Sequence, residues 1–553
     1  MTPDSHTTTT QLDALFAPYH RADAPGLTAG IVHLGQLLYR RGFGMASLEH
    51  GIANTPATRM RIGSVSKHFT CLAVLLLCEL GALDADTPIG TYLPELPPAA
   101  GLPTLRQLMS HRGGQRCALD LALLTQGLAI SPHGALLASQ QRQRDENFPP
   151  GERMMYSNGG YHLLSLAIER ASGMQFDAFL TTHIFNPLRM HDTACVPNDM
   201  TIERGIATMH VPDGEGGFRR GIFPSWEVLG EGSIVSTVDD MLRWTAHLRS
   251  SSKIVGNADT WTQMLALPVF SSGQRSQYSL GLKRSIYRGV ELIHHSGGVV
   301  GGTCQMLLSA AHGFDVVLLS NGALNAPFEL SKQVVDIVLA GELAGDGPPV
   351  AARAADHVAR LGSYRSSSTS AVYALEDHEG ALVLTGLLCP KPSMQLYDSD
   401  DDLHDMQIEA SADGPLAVRW GSSGAPDDPS SLRIVHCGHA ETFTRLGEAP
   451  AVTPHFVTAL SGTFSSHDAN AHATIRIDNE MLALRMHGAA GHCDYRLTPL
   501  ADDVFGLIPV DPMDLMSGIV TLTRDAASAH ISGFRVDTPR TRHLVFTRAQ
   551  ADA

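Results

Sequence analysis

A chain of 553 residues is too long for one hydrophobic core, so several folded units are expected. Its 43% hydrophobic and 17% charged residues are ordinary for a soluble globular protein. The formal charge of −16 excludes nucleic acid and an anionic membrane as main partners, because both require basic patches.

The N-terminal thirty residues carry the polar run Thr7 to Thr10 and no apolar stretch with a positive flank, so no secretory signal is expected. Gly30 to Tyr39 (GIVHLGQLLY) reads as two short strands around a turn. Ser64 to Gly81 opens with small polar residues and becomes a strongly apolar helix, buried nearly all round. Its apolar run, Cys71 to Cys78, falls far short of the ~20 residues a membrane-spanning helix needs. Asn158 to Gly173 places Tyr161, Leu164, Ala167, Ile168 and Ala171 on one helical face and stops at a glycine. Asp315 to Ser320 (DVVLLS) is a buried strand. Strands at both ends with helices between predict an α/β (α+β) domain whose sheet draws on both ends of the segment.

Two Pro/Gly/Ala stretches, Gly341 to Ala355 and Gly447 to His455, read as linkers. They divide the chain into units at 1–342, 353–448 and 454–550. The two smaller units resemble each other. Gly362-Ser363-Tyr364-Arg365-Ser366 recurs as Gly462-Thr463-Phe464-Ser465-Ser466, and Leu382 and Leu384 recur as Leu482 and Leu484. Near the ends, Phe443-Thr444-Arg445 recurs as Phe546-Thr547-Arg548. The common order points to a duplicated module, and short alternating runs between Asp, Gly and Asn turns make it antiparallel β, a sandwich or small barrel. The eight cysteines show no Cys-x-x-Cys pair and no zinc spacing, so they read as free thiols in a reducing compartment, by default the cytoplasm. Nothing matches a metal motif such as His-Glu-x-x-His, and neither metal nor cofactor is expected.

Lysine occurs at only five positions, 67, 253, 283, 332 and 391, yet two satisfy Ser-x-x-Lys. In Ser64-Val65-Ser66-Lys67 the spacing sets hydroxyl and ammonium on one helical face, one turn apart. Burial disfavours the charged lysine and makes it a base near neutral pH; the helix N-terminus favours a developing oxyanion at the serine. Ser250-Ser251-Ser252-Lys253 lies in a polar stretch and reads as a surface loop. Downstream, Tyr156-Ser157-Asn158 opens the second helix after Pro149-Pro150-Gly151, and His295-Ser296-Gly297-Gly298 lies on or beside a strand. Asn158 is also a residue type favoured as a helix cap.

This ordered triple, Ser-x-x-Lys, Tyr-x-Asn and His-x-Gly, resembles the family of serine β-lactamases, penicillin-binding DD-peptidases, esterases and D-aminopeptidases. Thr104 to Gly114 (TLRQLMSHRGG), Phe148 to Gly151, Ile184 to Met190 and Glu231 to Trp244 also look familial. The resemblance spans most of Gly26 to Asn321 and implies an acyl-enzyme mechanism. Ser64 would be the nucleophile, Lys67 and Tyr156 the proton-transfer pair, and His295 the holder of the tyrosine's proton network or of the substrate. Asn158 and the backbone of Gly298 would bind substrate. The nearest branch is that of the three-domain D-aminopeptidases, with a β-lactamase-like domain followed by two antiparallel β-barrels. In that branch a loop of the last barrel presents an aspartate to the substrate's free amino group. Here Leu507 to Gly518 (LIPVDPMDLMSG) matches it, with Asp514 as the acid and Asp511 as the fallback. The resemblance implies an arginine soon after His-x-Gly, where this chain reads Val299-Val300-Gly301-Gly302-Thr303. The expected partner is therefore a small peptide or amide with a free amino terminus; a homodimer stays open. An esterase or β-lactamase-like hydrolase on the same fold, and a non-catalytic binding protein, are the alternatives.

Overall fold

The computed structural model describes residues 5–223, 225–322, 327–345, 350–388, 393–398, 405–411, 414–421, 428–436, 439–451, 453–478, 481–511, 514, 516–528 and 530–549. The first unit is built on a six-stranded antiparallel sheet. Leu27–His33 pairs on one side with Gln36–Phe43 and on the other with Phe314–Ser320. The sheet continues through Gly302–Ser309 and Val290–Val299 to Lys283–Tyr287. Both ends of the segment thus meet in one sheet, as their apolar strands required: every residue of Phe314–Ser320 is buried.

The main core lies between this sheet and the helices Lys67–Glu79, Asn158–Ser172 and Val238–Arg249. Ten residues of Lys67–Glu79 are buried, which explains a composition that is apolar on every face. Asn158–Ser172 ends where Gly173 takes φ +69°, a left-handed conformation that lets the chain leave the helix without strain. Among the described residues no helix is long and apolar enough to cross a membrane.

The eight strands from Gly462–Ser466 to Leu544–Arg548 form a closed antiparallel barrel. The preceding module is a nine-stranded antiparallel sheet that stays open among the described residues, a half-barrel rather than the full barrel expected. Val504 and Ile519 of the closed barrel join its core, so the two modules pack on a shared apolar surface. The likeness of the two modules extends to side chains. Tyr364 pairs with Arg445 in one and Phe464 with Arg548 in the other. The Arg445 guanidinium donates to the carbonyls of Ala359 and Leu361, and that of Arg548 to those of Ala459 and Ser461. Each arginine thereby ties the last strand of its module to the helical turn that precedes the first.

The barrel docks on the first unit through the helix Ala118–Gln126 (ALDLALLTQ), whose Leu121, Leu123 and Leu124 enter the barrel's own core cluster. Tyr495 of the barrel donates its hydroxyl to the Leu124 carbonyl at 2.7 Å. Just before the helix, Arg116 is 1% exposed and reaches Asp468 at 2.9 Å and the carbonyls of Arg542 and His543. A buried guanidinium requires this many acceptors to offset its lost hydration.

Candidate active site

Ser64 lies in the single turn Gly63–Ser66 that leads into Lys67–Glu79, where the helix start presents its hydroxyl to the cleft. Lys67 is fully buried, with Nζ 3.1 Å from Ser64 Oγ, 2.9 Å from Asn158 Oδ1 and 2.7 Å from the Glu231 carbonyl oxygen. Burial lowers its pKa to about 7, against the opposing pull of Glu231 and with the help of Arg540. The two other oxygens are acceptors only. In the neutral amine both N–H groups are therefore committed to Asn158 and Glu231, and the lone pair faces the Ser64 hydroxyl. Asn158 is free for this task because the cap of its helix is Ser157, whose Oγ accepts from Gly160 N at 3.3 Å. The Glu231 carboxylate turns the other way, towards His162 Nδ1 at 3.5 Å.

Tyr156 is buried beside Lys67, whose Nζ lies 4.8 Å from the ring centroid. Its ring packs against that of His111, at a centroid distance of 4.0 Å. His295 is not in direct hydrogen-bond contact with the serine–lysine pair among the described contacts. Its Nε2 lies 3.0 Å from the Tyr278 hydroxyl and its Nδ1 2.6 Å from the Ser296 carbonyl. Tyr278 in turn lies 3.1 Å from His111 Nε2, and His111 Nδ1 accepts from Ser157 N at 3.1 Å. That last bond fixes every proton in the chain: His111 carries its proton on Nε2 and donates to Tyr278, Tyr278 donates to His295 Nε2, and His295 Nδ1–H donates to Ser296. Burial, reinforced by the charge of Lys67 among others, holds both imidazoles well below their usual pKa, so both are neutral. The His295 ring also packs directly against that of Tyr156, with centroids 6.4 Å apart, so it meets the tyrosine both by ring contact and through this chain. His111 and Tyr278 were not anticipated; the only hint was His111 inside the familial stretch Thr104 to Gly114.

The strand Val290–Val299 brings Gly297 and Gly298 against the serine turn. A Cβ on Gly297 would stand 1.9 Å from the Ile62 carbonyl oxygen and 3.2 Å from Ser64 N. One on Gly63, which has φ +52°, would stand 2.8 Å from Gly298 N. Only glycine permits this approach, which brings the backbone of Gly297 and Gly298 against the Gly63–Ser64 turn. Gly297→Ala is expected to push strand and turn apart and to lower kcat on the order of 100-fold, as loss of one oxyanion donor does. Steady-state kinetics beside a thermal melt check it; full activity would show that the close approach is dispensable.

Asp514 does not join this group. Its Oδ2 accepts from Cys493 Sγ at 3.0 Å, and its Oδ1 lies against Gly127, at the far end of the Ala118–Gln126 helix from the cleft. Burial raises its pKa. The fallback, Asp511, pairs with Arg219 at 3.4 Å on the rim. A barrel residue that reaches Tyr156 is Arg540, with Cζ 4.8 Å from the ring centroid. The second Ser-x-x-Lys has a structural explanation. Lys253 Nζ donates to the carbonyls of His247 and Leu248 and so caps the helix Val238–Arg249. The six cysteines among the described residues are free, and no cluster of three or more His, Cys, Asp or Glu is placed there to hold a metal ion.

Residues 12–339 match the family model described as Beta-lactamase. Among curated proteins, a D-aminopeptidase of Brucella canis is 28% identical over 366 residues, covering 64% of this chain and 66% of its own length. A D-aminopeptidase of Brucella anthropi is 27% identical over 367 residues, with the same coverage. The chain thus aligns with just under two thirds of these relatives. In structure it is similar to an octameric penicillin-binding protein homologue from Pyrococcus abyssi, with TM-score 0.56, 20% identity and coverage of 80% of this chain and 100% of that one. It is also similar to SurE with D-Leu, with TM-score 0.51, 23% identity and the same coverage. These two likenesses concern the fold.

Proposed function

This chain belongs to the beta-lactamase family of serine hydrolases, and from that premise we propose that it cleaves peptides or amides by acyl transfer through Ser64, releasing an N-terminal D-amino acid. The observation that carries the chemistry is the buried Lys67 amine, 3.1 Å from Ser64 Oγ and anchored on its other sides by Asn158 and Glu231. Neutral Lys67, with Tyr156 beside it, takes the Ser64 proton as Oγ attacks the scissile carbonyl. The N–H groups of Ser64 and Gly298 receive the negative charge that develops on the carbonyl oxygen. Tyr156 passes the proton to the leaving amine, the C–N bond breaks, and an ester on Ser64 remains. Water then enters and gives its proton to the same lysine–tyrosine pair, its oxygen adds to the acyl carbon, and as the ester bond breaks the pair returns the proton to Ser64 Oγ and the acid is released. Neutral imidazoles at His111 and His295 add no charge beside Tyr156, and their fixed tautomers hold its loop against the Gly297–Gly298 strand.

The aminopeptidase reading and its D-preference are supported by the D-aminopeptidases the chain resembles. A reducing, cytoplasmic setting agrees with the free thiols. Release of p-nitroaniline from D-alanine p-nitroanilide, compared with its L-isomer, tests substrate and stereochemistry together. D-selective release is expected. Serine-dependent activity on esters alone would retain the acyl-enzyme and move the substrate to the esterase class.

A further inference from the structure

The turn Leu229 to Ser233 (LGEGS) bridges the two helices that carry the site. On Lys67–Glu79 it meets two residues one turn apart. Lys67 Nζ donates to the Glu231 carbonyl at 2.7 Å and Thr70 Oγ1 to the Gly230 carbonyl at 2.9 Å. On Asn158–Ser172 the spacing sets Asn158, His162 and Ser165 on one face. Asn158 meets Lys67, Ser165 Oγ accepts from Gly230 N at 2.9 Å, and His162 Nδ1 stands 3.5 Å from the Glu231 carboxylate, an ion-pair distance. The turn also closes on itself. Gly232 N and Ser233 N donate to the Leu229 carbonyl, and Glu231 Oε2 accepts from Leu229 N at 3.1 Å. Glu231 and His162 are 3% and 2% exposed, so each charge depends on the other rather than on bulk water.

The acyl-transfer steps use only the backbone of Glu231 and leave its side chain and His162 without a part. Burial alone would lower the His162 pKa; the Glu231 carboxylate, with Glu227 and Glu169 beyond it, raises it instead. Burial is also the main influence on Lys67 and lowers its pKa. Glu231 opposes it, as do Cys117 and Cys71, while Arg540 acts with burial. The rings of Tyr156 and Tyr161 complete the surroundings of the amine. We propose that Glu231 and His162 are positioning residues for the general base: their ion pair clamps the turn that anchors Lys67 Nζ, and the share of the carboxylate's charge that His162 leaves unneutralised offsets the burial of the amine. The inference rests on the acyl-transfer reading, in which Lys67 is the base. Without the carboxylate the amine becomes a weaker base; with the carboxylate unshared, it stays protonated to a higher pH.

The rate at which a fluorophosphonate labels Ser64, followed from pH 5 to pH 9, tests this without the natural substrate. In that reaction the Oγ–P bond forms, fluoride leaves and the serine proton passes to Lys67. Wild type is expected to label faster as pH rises through about 7. Glu231→Gln keeps the size of the side chain and an acceptor for Leu229 N but removes the negative charge. It should move the rise about one pH unit lower, the low end of what a nearby opposite charge does. His162→Gln removes the positive charge and should move the rise about one pH unit higher. The double variant should follow Glu231→Gln. A purely structural pair would slow labelling at every pH and leave the rise in place, and that result, or shifts of the same sign in both single variants, would overturn the proposal. Breaking a buried pair is strongly destabilising, so each variant is melted beside wild type. If His162→Gln does not fold, the double variant, which leaves no charge unpaired, decides: a rise at the wild-type pH overturns the proposal. A wild type without the rise would overturn the acyl-transfer reading itself, because Lys67 would not be the base.

Discussion

Ser64→Ala is expected to lower kcat by at least ~1000-fold, and towards the ~10⁶-fold seen when a serine nucleophile that works as part of a unit is removed. Neither neighbouring hydroxyl on this helix start, Thr70 or Ser66, is placed to replace it. Thr70 Oγ1 is buried on the Gly230 carbonyl, and Ser66 Oγ accepts from Ile234 N. The loss should be purely chemical, since Ser64 is only partly buried in a turn whose neighbours Val65 and Ser66 supply the packing. A melting temperature within a few degrees of wild type, together with lost turnover, is the expected pair of results. A variant that keeps more than a tenth of the activity would remove Ser64 from the mechanism. Failure of a fluorophosphonate to label the wild-type serine would have the same meaning for the acyl-enzyme.

Lys67 governs the pH dependence. With its pKa lowered to about 7 by burial, the amine is charged below that pH and has no lone pair for the Ser64 proton. Above it, the neutral base is fully present. The sign follows: kcat/KM should rise with pH through about 7, falling tenfold per unit on the acid side, in place of the dependence near 10.5 of an ordinary lysine. Lys67→Met should abolish this limb and lower kcat on the order of 100- to 10,000-fold, the range a positioned general base contributes. It would also strand the Asn158 amide oxygen and the Glu231 carbonyl, which now accept from Nζ, at a cost of about 1–3 kcal/mol each. Lys67→Arg should not rescue the rate, because a guanidinium stays protonated throughout. Measuring kcat/KM between pH 5 and pH 9 decides it. A flat profile, or one that falls as pH rises through 7, would mean that Lys67 works as a cation.

The reading of the cleft as a serine hydrolase site was available from local spacing. Ser64 and Lys67 are one helical turn apart, so their contact is a property of the helix and survives any change in how the helix is packed. Tyr156, Ser157 and Asn158 likewise share one helix start. The duplication of the last two units was readable because each repeats its own turn and strand pattern within about a hundred residues. That one sheet closes and the other stays open among the described residues was not readable, because both modules carry the same alternating strand pattern.

The sequence determined the contact of Ser64 with Lys67, because the two stand one helical turn apart and the helix supplies the contact at a fixed pitch. Tertiary structure alone decided what surrounds them. Asn158 rather than Ser157 meets the lysine because Ser157 takes the capping role, and His295 meets Tyr156 both by ring contact and by way of Tyr278 and His111. The barrel delivers Arg540, while Asp514 stays with Cys493. Each of these outcomes joins segments tens to hundreds of residues apart. The partner of a polar group across such a distance is set by which apolar surfaces are buried together, here the Ala118–Gln126 helix in the barrel's core, and no spacing along the chain records it.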